Sequence, residues 1–342
     1  MCRLTHGTEQ LMSIREETHP PAVSAASASA AAASAASTTG RAGVVYVNGE
    51  FKPTDQAMVS VFDHGLLYGD GVFDTMFATY GYIFKLREHL ERFSRSLRAT
   101  RMTLAIPEAD LAQLVIDTVA ANDLRDAYIK IVATRGVGPE PLLDPRGTTP
   151  TLIVFARPYL SLAGAGKRET GLSTKLTSIQ RVGHAALDPR VKNLNYLNLV
   201  LAKFEAINAN ADEALLTDEE GYVCEAPGYN LFAVRDGVVI TPDRGILEGI
   251  TRETVLQICG EGGIPTAIKS LAPFDLFVAD EIFLTSTAAG LVPVTKVDGA
   301  LIGDGRPGAL FKRIDAAYDE MQRSGRHGTQ IPAKDALIGF GK

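Results

Sequence analysis

Lys192 is the first side chain in this sequence that could do chemistry. It stands in Lys192-Asn193-Leu194-Asn195-Tyr196, directly after Asp188-Pro189-Arg190-Val191. A lysine amine becomes a nucleophile or a base when its surroundings lower its pKa. At a helix start it also opposes the helix dipole, which favours anions at that end. The plainer reading is a solvated lysine. Glu225 closes an expected strand, Gly221-Tyr222-Val223-Cys224-Glu225, ahead of Ala226-Pro227-Gly228. A carboxylate among apolar strands must find a partner or lose its charge, and a strand-edge salt bridge would satisfy it. The segment Leu247-Glu248-Gly249-Ile250-Thr251-Arg252-Glu253-Thr254 places a Gly-containing loop before a helix start. Free backbone N–H groups and the helix dipole favour a phosphate there, although a Thr-capped helix would read the same way. Thr285-Ser286-Thr287-Ala288-Ala289-Gly290 offers a second cluster of hydroxyls and amides.

The elements that must position these groups follow from periodicity. Val44 to Val47 and Met58 to Phe62 read as strands, and Gly71-Val72-Phe73 leads into another. Arg87 to Thr100 reads as a helix with Leu90, Phe93 and Leu97 on one face, and Arg92 falls opposite that stripe, toward solvent. A second helix spans Ala109 to Ala121. Tyr128 to Arg135 alternates like a strand, which puts Tyr128 and Lys130 on one face. The second half opens with Lys192 at the head of a helix carrying Leu197, Val200, Leu201, Phe204 and Ile207. Four short strands, a helix from Arg252 to Cys259, a strand at Ile282 to Leu284 and a helix from Leu310 to Met321 complete it. Strands and helices are interspersed without a βαβ rhythm, so two α/β domains of an α+β protein are expected. Their predicted limits are 44–156 and 167–322, joined by a linker at 157–166, with a C-terminal tail at 323–342.

Residues 1–43 read as a disordered extension, because 24–37 are only Ala and Ser and carry no apolar stripe to bury. No apolar run reaches the roughly 18 residues that would span a bilayer. A net charge of −6 lacks the basic excess of a nucleic-acid binder. Cys2, Cys224 and Cys259 are too scattered for a disulfide framework, which favours a reducing compartment, the cytoplasm. Organellar targeting by the extension stays open, since no acidic residue occurs between Thr18 and Gly49. The 6 histidines are never paired at ligand spacing, so no metal is expected. Gly69-Asp70-Gly71 meets Asp74 where a dinucleotide fingerprint needs its third glycine, and reads as a turn.

Taken together, the order of these segments resembles the fold-type IV pyridoxal-phosphate enzymes, the class IV aminotransferases. The similarity runs from about Val44 to Asp319. It covers Val59 to Phe73, the Arg87-Glu88-His89-Leu90-Glu91-Arg92 helix, the Lys192 segment, Glu225 to Asn230, Thr241-Pro242, Leu247 to Arg252 and Pro293-Val294. The resemblance implies two α/β domains with pyridoxal 5′-phosphate between them, and a homodimer. It implies that Lys192 carries the cofactor as a Schiff base and moves the proton between substrate and cofactor. Glu225 would face the pyridine nitrogen, and Tyr196 the 3′-oxygen. Arg92, Ile250, Thr251 and Thr287 would hold the phosphate. Tyr68, Phe73, Tyr128, Lys130 and Ala288 would line the substrate pocket, Tyr68 by reaching across the dimer.

The substrates implied are an amino acid, branched-chain or hydrophobic and of the L series, and a 2-oxo acid. The sequence nevertheless departs from each branch of the family. Branched-chain enzymes usually carry Phe-Glu-Gly-x-Arg where this chain has Phe73-Asp74-Thr75-Met76-Phe77. The spacing of Lys192 from Tyr196 resembles the D-amino acid and lyase branches. The Arg-x-His of bacterial D-amino acid enzymes is here Glu140 and Leu142. Tyr128 and Lys130 resemble a Tyr-x-Arg pair with lysine substituted, which keeps the charge without the bidentate fork. D-amino acid or (R)-amine transamination, an aminodeoxychorismate lyase and a non-catalytic cofactor-binding protein are the alternatives.

Overall fold

Alternation governs the first sheet. In the strand Ala127–Val137, Ala127, Ile129, Ile131 and Ala133 are buried, while Tyr128 and Lys130 between them keep exposed surface. A pleated strand sends successive side chains to opposite faces, so one face of this strand can close a core while the other is left for function. The computed structural model describes residues 43–159, 163–164 and 166–334. The expected extension, apart from Gly43, and part of the expected linker lie outside the described residues.

The first half runs β1 (Val44–Val47), β2 (Glu50–Pro53), α1 (His64–Tyr68), β3 (Gly71–Thr79), β4 (Tyr82–Phe84), α2 (Leu86–Ala99), α3 (Leu111–Ala121), β5 (Ala127–Val137) and β6 (Thr149–Pro158). The second half begins with α4 (Lys167–Thr170), β7 (Leu172–Leu176), α5 (Leu197–Asn208), β8 (Glu213–Leu215), β9 (Glu225–Ala226), β10 (Tyr229–Arg235) and β11 (Val238–Thr241). It ends with α6 (Ile250–Glu261), β12 (Thr266–Ile268), α7 (Pro273–Phe277), β13 (Glu281–Ser286), β14 (Gly290–Val297), β15 (Ala300–Leu301), α8 (Ala309–Arg323) and β16 (Gly328–Gln330). Two sheets result, as the α+β reading expected.

The first sheet has the order β16-β4-β3-β5-β6-β1-β2 and is antiparallel throughout. Leu90, Phe93 and Leu97 of α2 and Leu111, Val115 and Val119 of α3 pack on Met76, Ile129, Ile131 and Val154. The second sheet, β12-β11-β10-β13-β14-β7-β8, is mixed: β7 pairs in parallel with β14 and β8, and β11 with β12. Phe232 and Phe283 stack in its core with ring centroids 5.0 Å apart, and Phe311 of α8 packs beside them.

Three expectations need correction. Met58 to Phe62 is not a strand: the segment is irregular and its apolar side chains are exposed, Met58 at 76%. The stripe on α5 points the other way. Leu199, Ala202 and Ala206 are buried, whereas Leu197, Val200, Leu201, Phe204 and Ile207 are exposed at 47–72%. The small residues let α5 lie close on its neighbours, and the bulky ones are left outside. The expected tail carries β16, which pairs with β4 and brings Ile331 into the core of the first sheet.

Candidate active site

The cavity that collects the candidate residues has a volume of about 460 Å³ and is walled by elements of both sheets. Phe73 and Thr75 of β3 and Tyr128 and Lys130 of β5 form one wall. Thr75 and Lys130 are direct partners in the β3–β5 ladder. Glu225, Ile250, Thr251, Thr287 and Ala288 come from the second half, and Lys192, Tyr196 and Arg92 also line the cavity. Tyr68 is not among the lining residues of the single chain; it is partly exposed, and its hydroxyl donates to the Pro141 carbonyl at 3.0 Å.

Lys192 is held by its backbone. Phe73 N–H donates to the Lys192 carbonyl at 2.9 Å, and Leu194 N–H to the Gly71 carbonyl at 3.0 Å. Residues 192–194 thus extend the edge of β3, and the lysine precedes α5 instead of starting it. The dipole argument therefore does not apply. Its Nζ lies 4.6 Å from the centre of the Phe73 ring and makes no hydrogen bond or ion pair among the described residues. Lys130 Nζ lies 4.3 Å from the same ring. Burial, reinforced by the Arg92 guanidinium, lowers the Lys192 amine from its usual value to about 8. At neutral pH a usable fraction is then unprotonated. Burial and the neighbouring Lys192 charge also lower the Lys130 amine.

Arg92 is buried, contrary to its place in the periodicity. The reason is Asp74, fully buried on β3. Arg92 Nε donates to Asp74 Oδ2 at 2.8 Å and Nη2 to Oδ1 at 2.9 Å, while Nη1 reaches the Glu248 carbonyl at 3.0 Å. His89, one helical turn before Arg92, shares Asp74 Oδ1 at 2.7 Å. Burial works against ionisation of Asp74, but the Arg92 and His89 contacts outweigh it and hold the carboxyl below its usual range. Burial also lowers the His89 imidazole, so we assign it the neutral form with Nδ1–H donating to Asp74.

Opposite this network, Glu225 accepts from Arg181 Nε at 2.7 Å, from Leu247 N–H at 2.9 Å and from Asn230 Nδ2 at 3.3 Å. Burial and the Glu225 charge push the Tyr196 phenol up to about 12, so it stays a donor at neutral pH. Helix α6 starts after Gly249 without a side-chain cap, so its first-turn amides are free of one. A Cβ at Gly249 would collide with Asn230 Oδ1, which explains glycine at that loop. Thr285 Oγ1 is buried without a hydrogen-bond partner, and Thr285 lines the cavity. The sequence reading missed Asp74, His89, Thr75 and Arg181 as site residues. Only His89 and Arg92 carried a local signal, a three-residue spacing on a helix.

The sequence and the fold find their matches among transaminases. The family described as Amino-transferase class IV matches residues 71–297. The chain is 42% identical, over 281 residues, to the putative branched-chain-amino-acid aminotransferase of Methanocaldococcus jannaschii, covering 81% of this chain and 96% of that protein. Among solved structures, the T.th. branched-chain amino acid aminotransferase with pyridoxamine 5′-phosphate superposes with a TM-score of 0.80 at 34% identity, covering 85% of this chain and 99% of that one. The Thermoproteus uzoniensis branched-chain aminotransferase with norvaline gives a TM-score of 0.79 at 33% identity, with the same coverage of 85% and 99%.

The chain belongs to the class IV aminotransferases, enzymes that use pyridoxal 5′-phosphate. Its residues fit that cofactor. The cavity supplies an unpaired amine of lowered pKa, a buried arginine beside an uncapped helix start, an orphaned hydroxyl at Thr285 and an ionisable carboxyl at the far side. Among the described residues no cluster of three or more metal-ligating side chains occurs, and no helix is long and apolar enough to cross a membrane.

Proposed function

We propose that the enzyme moves the amino group of branched-chain and other hydrophobic L-amino acids to a 2-oxo acid such as 2-oxoglutarate. The observation that carries this reading is the wall opposite Glu225. There Phe73 and Tyr128 offer apolar surface beside Lys130, whose amine like that of Lys192 lies against the Phe73 ring, and relatives with this architecture are named for branched-chain substrates. An apolar side chain and a carboxylate need those two kinds of surface side by side. Glu140 and Leu142, which stand where the D-amino acid branch has its Arg-x-His pair, are exposed and outside the cavity lining.

Bound pyridoxal phosphate supplies an aldehyde that condenses with amines and a ring that accepts an electron pair. Lys192 is the group that attaches the cofactor and moves a proton to or from the substrate α-carbon, which its lowered pKa suits. Arg92, the amides of Ile250 and Thr251, and Thr287 would hold the phosphate, and the unpartnered Thr285 Oγ1 in the same cavity would offer a further donor. Tyr196 would hold the cofactor's 3′-oxygen as a donor, and Glu225 would hold its ring nitrogen as an acceptor. Lys130 and Tyr128 bind the substrate carboxylate, and Ala288 leaves room for the side chain. The test is a change in the cofactor's absorption band with L-leucine, D-alanine and (R)-1-phenylethylamine in turn. Response to L-leucine is expected, and conversion of D-alanine alone would overturn the substrate assignment.

A homodimer belongs to the same proposal. The exposed stripe of α5 and the exposed side chains of Met58, Val59, Val61, Phe62, Leu66 and Leu67 are apolar surfaces that a second copy would cover, bringing Tyr68 to the partner's cavity. Sedimentation should give twice the chain mass; a monomer would refute it. The free, buried thiols of Cys224 and Cys259 suit the cytoplasm, which cell fractionation can check. The proposed domains span 44–156 and 167–322, and limited proteolysis should cut first within 157–166.

A further inference from the structure

Arg181 belongs to no motif singled out in the sequence, yet it makes the shortest contact to Glu225. It sits in the loop between β7 and α5, where its own N–H donates to the Thr217 carbonyl at 2.8 Å. Its side chain is 11% exposed, that of Glu225 is 7% exposed, and their contact is 2.7 Å. Both residues line the active-site cavity.

The count of donors around Glu225 is informative. An ionised carboxylate offers about four lone-pair positions. Arg181 takes one on Oε1, and Leu247 N–H and Asn230 Nδ2 take two on Oε2. About one remains for a donor that the chain itself does not supply. All three bonds gain from the carboxylate's charge, and of the three partners only Arg181 adds an opposite charge of its own. Glu225 acts electrostatically on Lys192, Tyr196 and Cys224, with Arg92, Asp74, Asp218 and Arg244 acting on one or more of the same groups, and none of these is hydrogen-bonded to Glu225 among the described residues. Without Arg181 both remaining donors hold Oε2, and Oε1 is free to swing.

We propose that Arg181 is a positioning residue: it fixes Glu225 so that the carboxylate's remaining lone pair meets the ring nitrogen of the cofactor, and acts on transamination through that contact. The inference rests on the role given above to Glu225. Because the guanidinium is a planar fork anchored by its loop, a lysine at this position would keep the charge and lose part of the alignment.

The test uses the full chain reconstituted with pyridoxal phosphate, as parent, Arg181→Gln and Arg181→Lys. Two quantities are measured: the pH at which the bound cofactor's absorption changes, and kcat and KM with L-leucine and 2-oxoglutarate. The Gln variant should retain cofactor and shift its absorption titration by about one pH unit. Its kcat should fall about tenfold or more while KM changes less than about threefold. The Lys variant should recover part of kcat. A Gln variant with the parent's titration and kcat overturns the proposal. Loss of the native circular-dichroism signal in both variants also overturns it, leaving Arg181 a structural role. If the parent transaminates no amine while the Gln variant still shifts the titration, the functional reading fails together with the effect on transamination, and the positioning of Glu225 by Arg181 stands.

Discussion

Two buried arginine–carboxylate pairs, Arg92–Asp74 and Arg181–Glu225, stand at the cavity, and they are built to opposite ends. Asp74 accepts three hydrogen bonds on Oδ1, from Thr75 N–H, His89 and Arg92 Nη2, and one on Oδ2 from Arg92 Nε, and it is fully buried, so neither oxygen is open to a ligand. The carboxylate is wholly spent on orientation, and Arg92 keeps N–H groups for a ligand. At the other pair Arg181 is the holder and Glu225 keeps a lone pair. On the proposed reading, the same two kinds of group, a guanidinium and a carboxylate, prepare an anion site in one pair and an acceptor for a ring nitrogen in the other. Which partner is saturated decides what the pair can bind.

Lys192 lies between the pairs, and its replacement is the most severe way to test the comparison. Lys192→Ala should lower transamination at least about a thousandfold, since the attaching and proton-moving group is gone. Steady-state kcat with L-leucine measures this, and turnover equal to the parent's would remove the assignment of both ends. Next is the saturated pair. Asp74→Ala leaves Arg92 buried without its counter-charge and should destabilise the fold by about 3–5 kcal/mol, read from denaturant unfolding. A loss under about 1 kcal/mol would mean that Asp74 is not the holder.

The electrostatic version of the comparison is a pH experiment. Cofactor uptake by the apo-protein requires the unprotonated amine, so its rate should rise with pH through about 8. Arg92 lowers that pKa and Asp74 raises it, so Arg92→Gln should move the midpoint up and Asp74→Asn down, by about one pH unit each. Shifts of the same sign in both variants would contradict the opposed roles. The smallest effect belongs to the wall between the ends. Lys130→Met should raise KM for L-leucine about fivefold with kcat little changed, as expected for lost uniform binding. An unchanged KM would take the substrate carboxylate away from Lys130.

Much of the molecule was legible before folding was considered. The stripe of α2 reads correctly because Leu90, Phe93 and Leu97 recur at helical spacing and end up against the first sheet. The stripe of α5 has the same spacing and turns outward. Periodicity reports that a face must be covered, not by what. Lys192, Glu225 and Arg92 were recognisable only through the order of family segments, while Asp74 and Arg181 were passed over. Asp74 lies 18 residues from its arginine and Arg181 44 from its glutamate, and no local pattern links residues so far apart.

The order of residues by itself determined most of the elements and the class of fold, because these depend on propensity and period within a short stretch of chain, and it pointed to Lys192 only through the order of family segments along the whole chain. Only the tertiary structure decided which ionisable groups share a hydrogen bond and which are left with a vacant donor or acceptor. That outcome depends on desolvation and on distances of about 3 Å between distant segments, which exist only once both sheets have closed on the cavity.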